Sequence, residues 1–122
     1  MHVLLVEDDA DSRLLLTRVL EYSGALVSAV GSAREAMSTL EGITPDVLVT
    51  DIAMPREDGY WLIRAVRRLP AAARSGVPAV AITGHADHGP ERTLAAGFQA
   101  HLGKPIDPWD LCRTIAGLVR RT

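Results

Sequence analysis

The chain has one cysteine, Cys112, so no disulfide can form within it and a packed core must hold it together. That usage suits a reducing compartment, and a cytoplasmic location is expected. No apolar run approaches the roughly 18 residues a membrane span needs. The apolar start Val3 to Val6 is too short for a signal core and runs straight into acids. Basic charge is not in excess: 13 Lys and Arg against 15 Asp and Glu give a formal charge of −2. Direct nucleic-acid binding and membrane binding are therefore not expected, and the Arg67-Arg68 and Arg120-Arg121 pairs read as solvated helix ends. Internal repeats, low-complexity stretches and linkers are absent. So is a Gly-x-Gly-x-x-Gly turn after the first apolar run. Asp8-Asp9-Ala10-Asp11-Ser12 stands there instead and would repel a pyrophosphate.

What is present is a strand-then-helix alternation repeated five times across 122 residues, enough for one domain over residues 1–122. Val3 to Glu7 is apolar until its acid, as a parallel strand buried on both faces should be. A helix over Asp11 to Tyr22 follows, with Leu14, Leu15, Arg18 and Val19 at helical spacing and Gly24 just past its end. Leu26 to Val30 is a weaker strand, carries Ser28, and belongs toward an edge. Ser32-Ala33-Arg34-Glu35 is a capping box, and Ala36, Met37 and Leu40 give its helix an apolar face. Val47 to Thr50 is the third strand, Asp58 to Leu69 the third helix, and Ala71 to Gly76 a loose loop. Val77 to Thr83 and Phe98 to Leu102 are the last strands, separated by a short helix over Glu91 to Ala96. Asp107-Pro108 starts the final helix as N-cap and first residue, with Leu111, Ile115, Leu118 and Val119 on one face. Right-handed crossovers then give an α/β, doubly wound three-layer sandwich.

Charged residues sit where these strands end. Glu7-Asp8-Asp9 closes the first, Asp51 closes the third and Lys104 follows the fifth. In open parallel sheets ligands bind at that carboxyl edge, and this mixture of charges suits phosphate and Mg²⁺. Asp51 is separated from the next helix by Pro55, so capping explains it poorly, and a nucleophilic carboxylate explains it better. Carboxylates this close repel one another, and a hard dication removes the penalty. Asp9 reads as structural, since the first turn of a helix favours an acid.

These residues, together with Pro45-Asp-Val-Leu-Val-Thr-Asp51, Met54-Pro55, Asp58-Gly59, Pro78 to Thr83 and Lys104-Pro105, make the chain resemble a receiver domain of two-component signalling over its whole length. The resemblance implies the flavodoxin-like strand order 2-1-3-4-5. It implies that Asp51 is the phosphorylated residue. Asp8 and Asp51 would bind Mg²⁺ directly, the carbonyl of Ala53 would add a ligand, and Glu7 would act through water. Lys104, aimed by a cis Lys-Pro bond, would neutralise the phosphoryl group, and Thr83 would donate its hydroxyl to it. The implied partners are a sensor histidine kinase or histidine phosphotransfer protein upstream. A downstream protein would meet the face made by the fourth helix, fifth strand and last helix. The chain is expected to be a monomer or weak homodimer, and an autocatalytic phosphoacceptor rather than a turnover enzyme. A finer likeness joins it to the C-terminal receivers of hybrid kinases and to stand-alone receivers, and no output domain is expected.

The departures carry information. His101 stands at the switch position, usually Tyr or Phe, and histidine's ordinary pKa of about 6.5 would make coupling pH-sensitive; a satisfied rim histidine is the plainer alternative. Ala53 has no side chain to orient a hydrolytic water, whereas His85 has one. A haloacid-dehalogenase-like phosphatase would need a second acid where Ala53 stands. A phosphorylation-independent interaction module would normally have lost acids that are intact here. Trp109 marks either a partner patch or the edge of the core.

Overall fold

Five apolar runs form one parallel sheet in the order β2-β1-β3-β4-β5. The structure, a computed structural model, describes residues 1–84 and 90–120. The strands are β1 (His2–Val6), β2 (Leu26–Val30), β3 (Val47–Asp51), β4 (Ala79–Thr83) and β5 (Ala100–Gly103). The helices are α1 (Ala10–Tyr22), α2 (Ala33–Leu40), α3 (Gly59–Arg67), α4 (Ala72–Ser75), α5 (Pro90–Ala96) and α6 (Pro108–Arg120). The order is that of the flavodoxin-like fold, with β2 and β5 at the edges.

Successive strand residues point to opposite faces, which divides the core in two. Leu4, Val6, Leu48, Ala79 and Ala81 pack with Ala36 and Leu40 of α2 and Leu62, Ile63 and Val66 of α3. Val3, Leu5, Val47, Val49, Val80 and Ile82 pack with Leu16 and Leu20 of α1 and Leu111 and Ile115 of α6. The side chains of β1, β3 and β4 facing these clusters are essentially inaccessible, which is why those strands are apolar until their carboxyl ends. No helix among the described residues is long and apolar enough to cross a membrane.

The helix starts follow the local chemistry. Asp9 accepts from Ser12 N at 2.9 Å and caps α1. Ser32 accepts from Glu35 N at 3.1 Å and caps α2. Asp58 accepts from Trp61 N at 2.8 Å and caps α3. Asp107 accepts from Trp109 N at 2.9 Å ahead of α6. Gly24 follows α1 with φ +98°, a conformation that favours glycine.

Three sequence expectations need correction. On α1 the spacing of Leu14, Leu15, Arg18 and Val19 does not mark the core face: Leu14 is 54% and Leu15 56% exposed, while Leu16 and Leu20 are buried. A run of three leucines followed by Val19-Leu20 fits more than one helical phase, and packing against the sheet selects among them. The segment from Ala71 to Gly76 is not a loose loop. Arg74, Ser75 and Gly76 donate to the carbonyls of Ala71 and Ala72, closing one helical turn. Arg67 is not a solvated helix end. Its guanidinium donates to the carbonyls of Ser75, Val77 and Gly97 and to Gln99 Oε1, at 2.7–3.1 Å. Gln99 Oε1 in turn accepts from Ala79 N at 2.7 Å, so one side chain ties the end of α3 to the starts of β4 and β5. Arg67→Met is expected to lower unfolding free energy by about 2–4 kcal/mol, because several carbonyls lose their donor together. Urea unfolding would show a lower midpoint at constant slope.

Trp109 is 48% exposed and meets the ring of Tyr22 edge-on at 6.0 Å, spanning α1 and α6.

Candidate functional site

The sheet brings the predicted charges together at its carboxyl edge. Glu7 and Asp8 follow β1, Asp51 ends β3, Thr83 ends β4 and Lys104 follows β5. One carboxylate oxygen from each of Glu7, Asp8 and Asp51 lies within 4.8 Å of the others. Glu7 is 2% and Asp51 1% exposed, whereas Asp8 is open to solvent. Lys104 reaches across to donate from Nζ to Asp51 Oδ2 at 2.8 Å. Asp51 Oδ1 is buried and has no hydrogen-bond donor among the described residues.

Each of these placements has a local cause. β4 and β5 pair Thr83 with Gly103, and Lys104 N donates to the Thr83 carbonyl at 2.7 Å. That bond sets the lysine beside β4, and the Lys104–Pro105 peptide that follows is cis. Thr83 is 5% exposed and one strand from Asp51, whose register partner is Ile82. His101 pairs with Ala81 on the edge strand and is half-buried. Ala53 lies exposed on the loop after β3. His85 lies outside the described residues.

That loop is fixed by contacts the sequence reading did not single out. Gly59 N donates to the Ile52 carbonyl at 2.9 Å, and a Cβ at Gly59 would stand 2.6 Å from the Asp51 carbonyl oxygen. Arg56 has φ 65°. Its neighbour Glu57 pairs with Arg34 at 3.1 Å, and Arg34 also lies over the Trp61 ring. Arg92 of α5 lies 4.3 Å over the Tyr60 ring, joining α5 to the start of α3. On the other side, Arg13 Nη1 donates to the Glu7 carbonyl at 2.8 Å. A clue to Arg13 existed in the sequence: long helical side chains lie back over the preceding turn, which here is the acidic one.

Electrostatics matches the geometry. Burial, and then the charge of Asp51, push the Glu7 carboxyl up to about 7, opposed by the Asp9 N–H and the charge of Lys104. Burial pulls the Lys104 ammonium down, but its contact with Asp51 and the charges of Glu7 and Asp8 outweigh that and hold it above its ordinary range. The Ser12 N–H and hydroxyl keep the Asp9 carboxyl below its ordinary range, as suits a helix cap. Crowded hard oxygens, one of them buried without a donor, form a donor set that fits a hard divalent cation.

The raised Glu7 sets the sign of a pH effect. Below about 4.5 the group is protonated whether the chain is folded or not, so it has no effect on stability. Between about 4.5 and 7 the unfolded chain ionises while the folded one resists, and the metal-free fold loses stability as pH rises. Glu7→Gln is therefore expected to stabilise the metal-free protein by about 1–3 kcal/mol at pH 8 and by little at pH 4.5. Thermal melts in a chelator at both pH values check this.

A doubly wound sheet with three acids and a lysine at its carboxyl edge suits a hard cation and a phosphoryl group better than a dinucleotide. The chain belongs to the response regulator receiver domain family, whose model matches residues 3–116. An uncharacterised 14.6 kDa protein of Leptolyngbya boryana is 43% identical over 116 residues, covering 94% of this chain and 87% of that protein. The response regulator MprA of Mycolicibacterium vanbaalenii is 32% identical over all of this chain but only 52% of its own length. Across several other curated relatives the chain likewise spans about half of the protein or less. The receiver domain of a Pseudomonas aeruginosa sensor histidine kinase is 28% identical with a TM-score of 0.86, covering 97% of this chain and 96% of that one. That structure has a magnesium ion coordinated in its active site cleft. The chain thus has a place in phosphorelay signalling, as the resemblance implied.

Proposed function

We propose that the chain is a Mg²⁺-dependent switch that accepts a phosphoryl group on Asp51. The observation that carries this reading is Asp51 itself: Oδ2 is held by Lys104 while the buried Oδ1 has no donor. Asp8, Asp51 and the Ala53 carbonyl would hold the cation, with Glu7 acting through water. When bound, Mg²⁺ offsets the carboxylate repulsion and neutralises charge on phosphoryl oxygens.

The chain's own groups then have distinct tasks. An Asp51 oxygen attacks phosphorus, and the bond to the donor's imidazole nitrogen breaks with its electron pair left on that nitrogen. Lys104 stands within reach of the same oxygens, and holding donor and acceptor in line supplies much of the rate. The Thr83 hydroxyl donates to a phosphoryl oxygen once one is present. His101 repacks as Thr83 moves, biasing the face made by α5, β5 and α6 toward a downstream protein. The extra helical turn α4 is why the fourth helix of the sequence reading is α5 here. Ala53 offers nothing to orient a hydrolytic water, which favours slow self-dephosphorylation. The upstream partner is a phosphohistidine protein, kinase or phosphotransfer, and the working compartment is the cytoplasm. A monomer or weak homodimer meets these requirements.

Intact mass after incubation with phosphoramidate, a small donor whose phosphorus–nitrogen bond mimics phosphohistidine, tests the reading. Wild type is expected to gain one phosphoryl group with Mg²⁺ and none with a chelator. No gain from phosphoramidate, acetyl phosphate or a phosphohistidine protein contradicts it.

A further inference from the structure

The turn bearing Glu7 and Asp8 is held on one side by the sheet and on the other by α1. Glu7 N donates to the Val30 carbonyl at 3.0 Å, and the Glu7 carbonyl accepts from Arg13 Nη1 at 2.8 Å. The Arg13 hydrogen bond therefore acts on the peptide that links the two acids, and Arg13 forms no ion pair among the described residues. Gly31 flanks its route: a Cβ there would stand 3.2 Å from Arg13 Nη1. Gly31 lies outside the left-handed region, so what the position requires is space for the guanidinium.

We propose that Arg13 is a positioning residue for the cation site, fixing the main chain between Glu7 and Asp8, and that Gly31 keeps its path open. This rests on the Mg²⁺ reading above. The sign of the effect separates positioning from charge. Arg13 bears the same charge as the cation, so if charge alone mattered its removal would tighten Mg²⁺ binding. Loss of positioning weakens it, as happens when groups that orient metal ligands are removed.

Calorimetric titration with Mg²⁺ at fixed pH and ionic strength decides between them. Arg13→Met is expected to weaken binding about tenfold. Arg13→Lys should recover part of the loss, since an ammonium can donate to the same carbonyl. Gly31→Val should reproduce the loss by displacing the guanidinium, and the double variant should be no worse than Arg13→Met alone. Urea unfolding in a chelator checks that each variant is folded before titration. Unchanged or tighter binding by Arg13→Met, or independent additive losses in the double variant, overturns the proposal. Asp8→Asn reports the underlying reading separately. If wild type binds no Mg²⁺, or Asp8→Asn binds as wild type does, that reading fails and this one falls with it. If Asp8→Asn loses binding while Arg13→Met retains it, only the positioning role fails.

Discussion

Lys104→Met is expected to slow phosphoryl acceptance about 100- to 1000-fold, the usual loss when a preorganised group that stabilises transition-state charge is removed. The lysine lies 2.8 Å from Asp51 Oδ2 before any phosphoryl arrives, so little reorganisation is needed at the moment of transfer. Methionine keeps the length and apolar stem while deleting the charge. The same substitution has a second consequence. Asp51 is buried, Oδ1 already has no donor among the described residues, and Oδ2 would lose its ammonium. The metal-free variant should therefore be less stable than wild type by about 1–3 kcal/mol, opposite in sign to Glu7→Gln at alkaline pH. Added Mg²⁺ should recover much of that loss. Single-turnover labelling with a small phosphodonor, with melts in chelator and in Mg²⁺, reads both effects. A variant that labels at the wild-type rate would remove Lys104 from the chemistry.

Gly59→Ala is expected to destabilise the fold by about 3 kcal/mol, a large effect for one methyl group. That carbon would stand 2.6 Å from the Asp51 carbonyl oxygen and 2.8 Å from Ile52 Cα, both main-chain atoms at the end of a central strand. Neither can turn aside as a flexible side chain would. Either α3 lifts from β3, breaking the Gly59 N to Ile52 carbonyl bond, or the main chain of Asp51 moves. Movement of Asp51 should cost about 100-fold in acceptance among the molecules that stay folded. A midpoint in urea equal to wild type would show that the loop gives way cheaply.

The contrast between these residues explains what the sequence disclosed. Buried parallel strands are continuously apolar, so Val3 to Val6 and Val47 to Thr50 stood out, and acids at their ends could be assigned to one edge. Asp51 and Lys104 are 53 positions apart, yet strand polarity was enough to predict their meeting. Caps were legible because their chemistry is local, as with Ser32 and Asp107. The phase of α1 was not, because three consecutive leucines satisfy competing faces until the sheet selects Leu16 and Leu20. Arg67 was misread as a solvated helix end because its partners are mainly main-chain carbonyls, and a carbonyl has no sequence signature. Gly59 was seen as part of a motif, but its close approach to the Asp51 carbonyl becomes visible only when α3 is docked.

Borohydride reduction after phosphorylation tests the central claim most directly. An aspartyl phosphate is reduced to homoserine, so peptide mass spectrometry reports which carboxylate carried the phosphoryl group. Homoserine at position 51, requiring Mg²⁺ and absent from Asp51→Asn, is the result expected here. Homoserine at position 8, or labelling that persists in Asp51→Asn, would contradict the assignment of Asp51 as the acceptor.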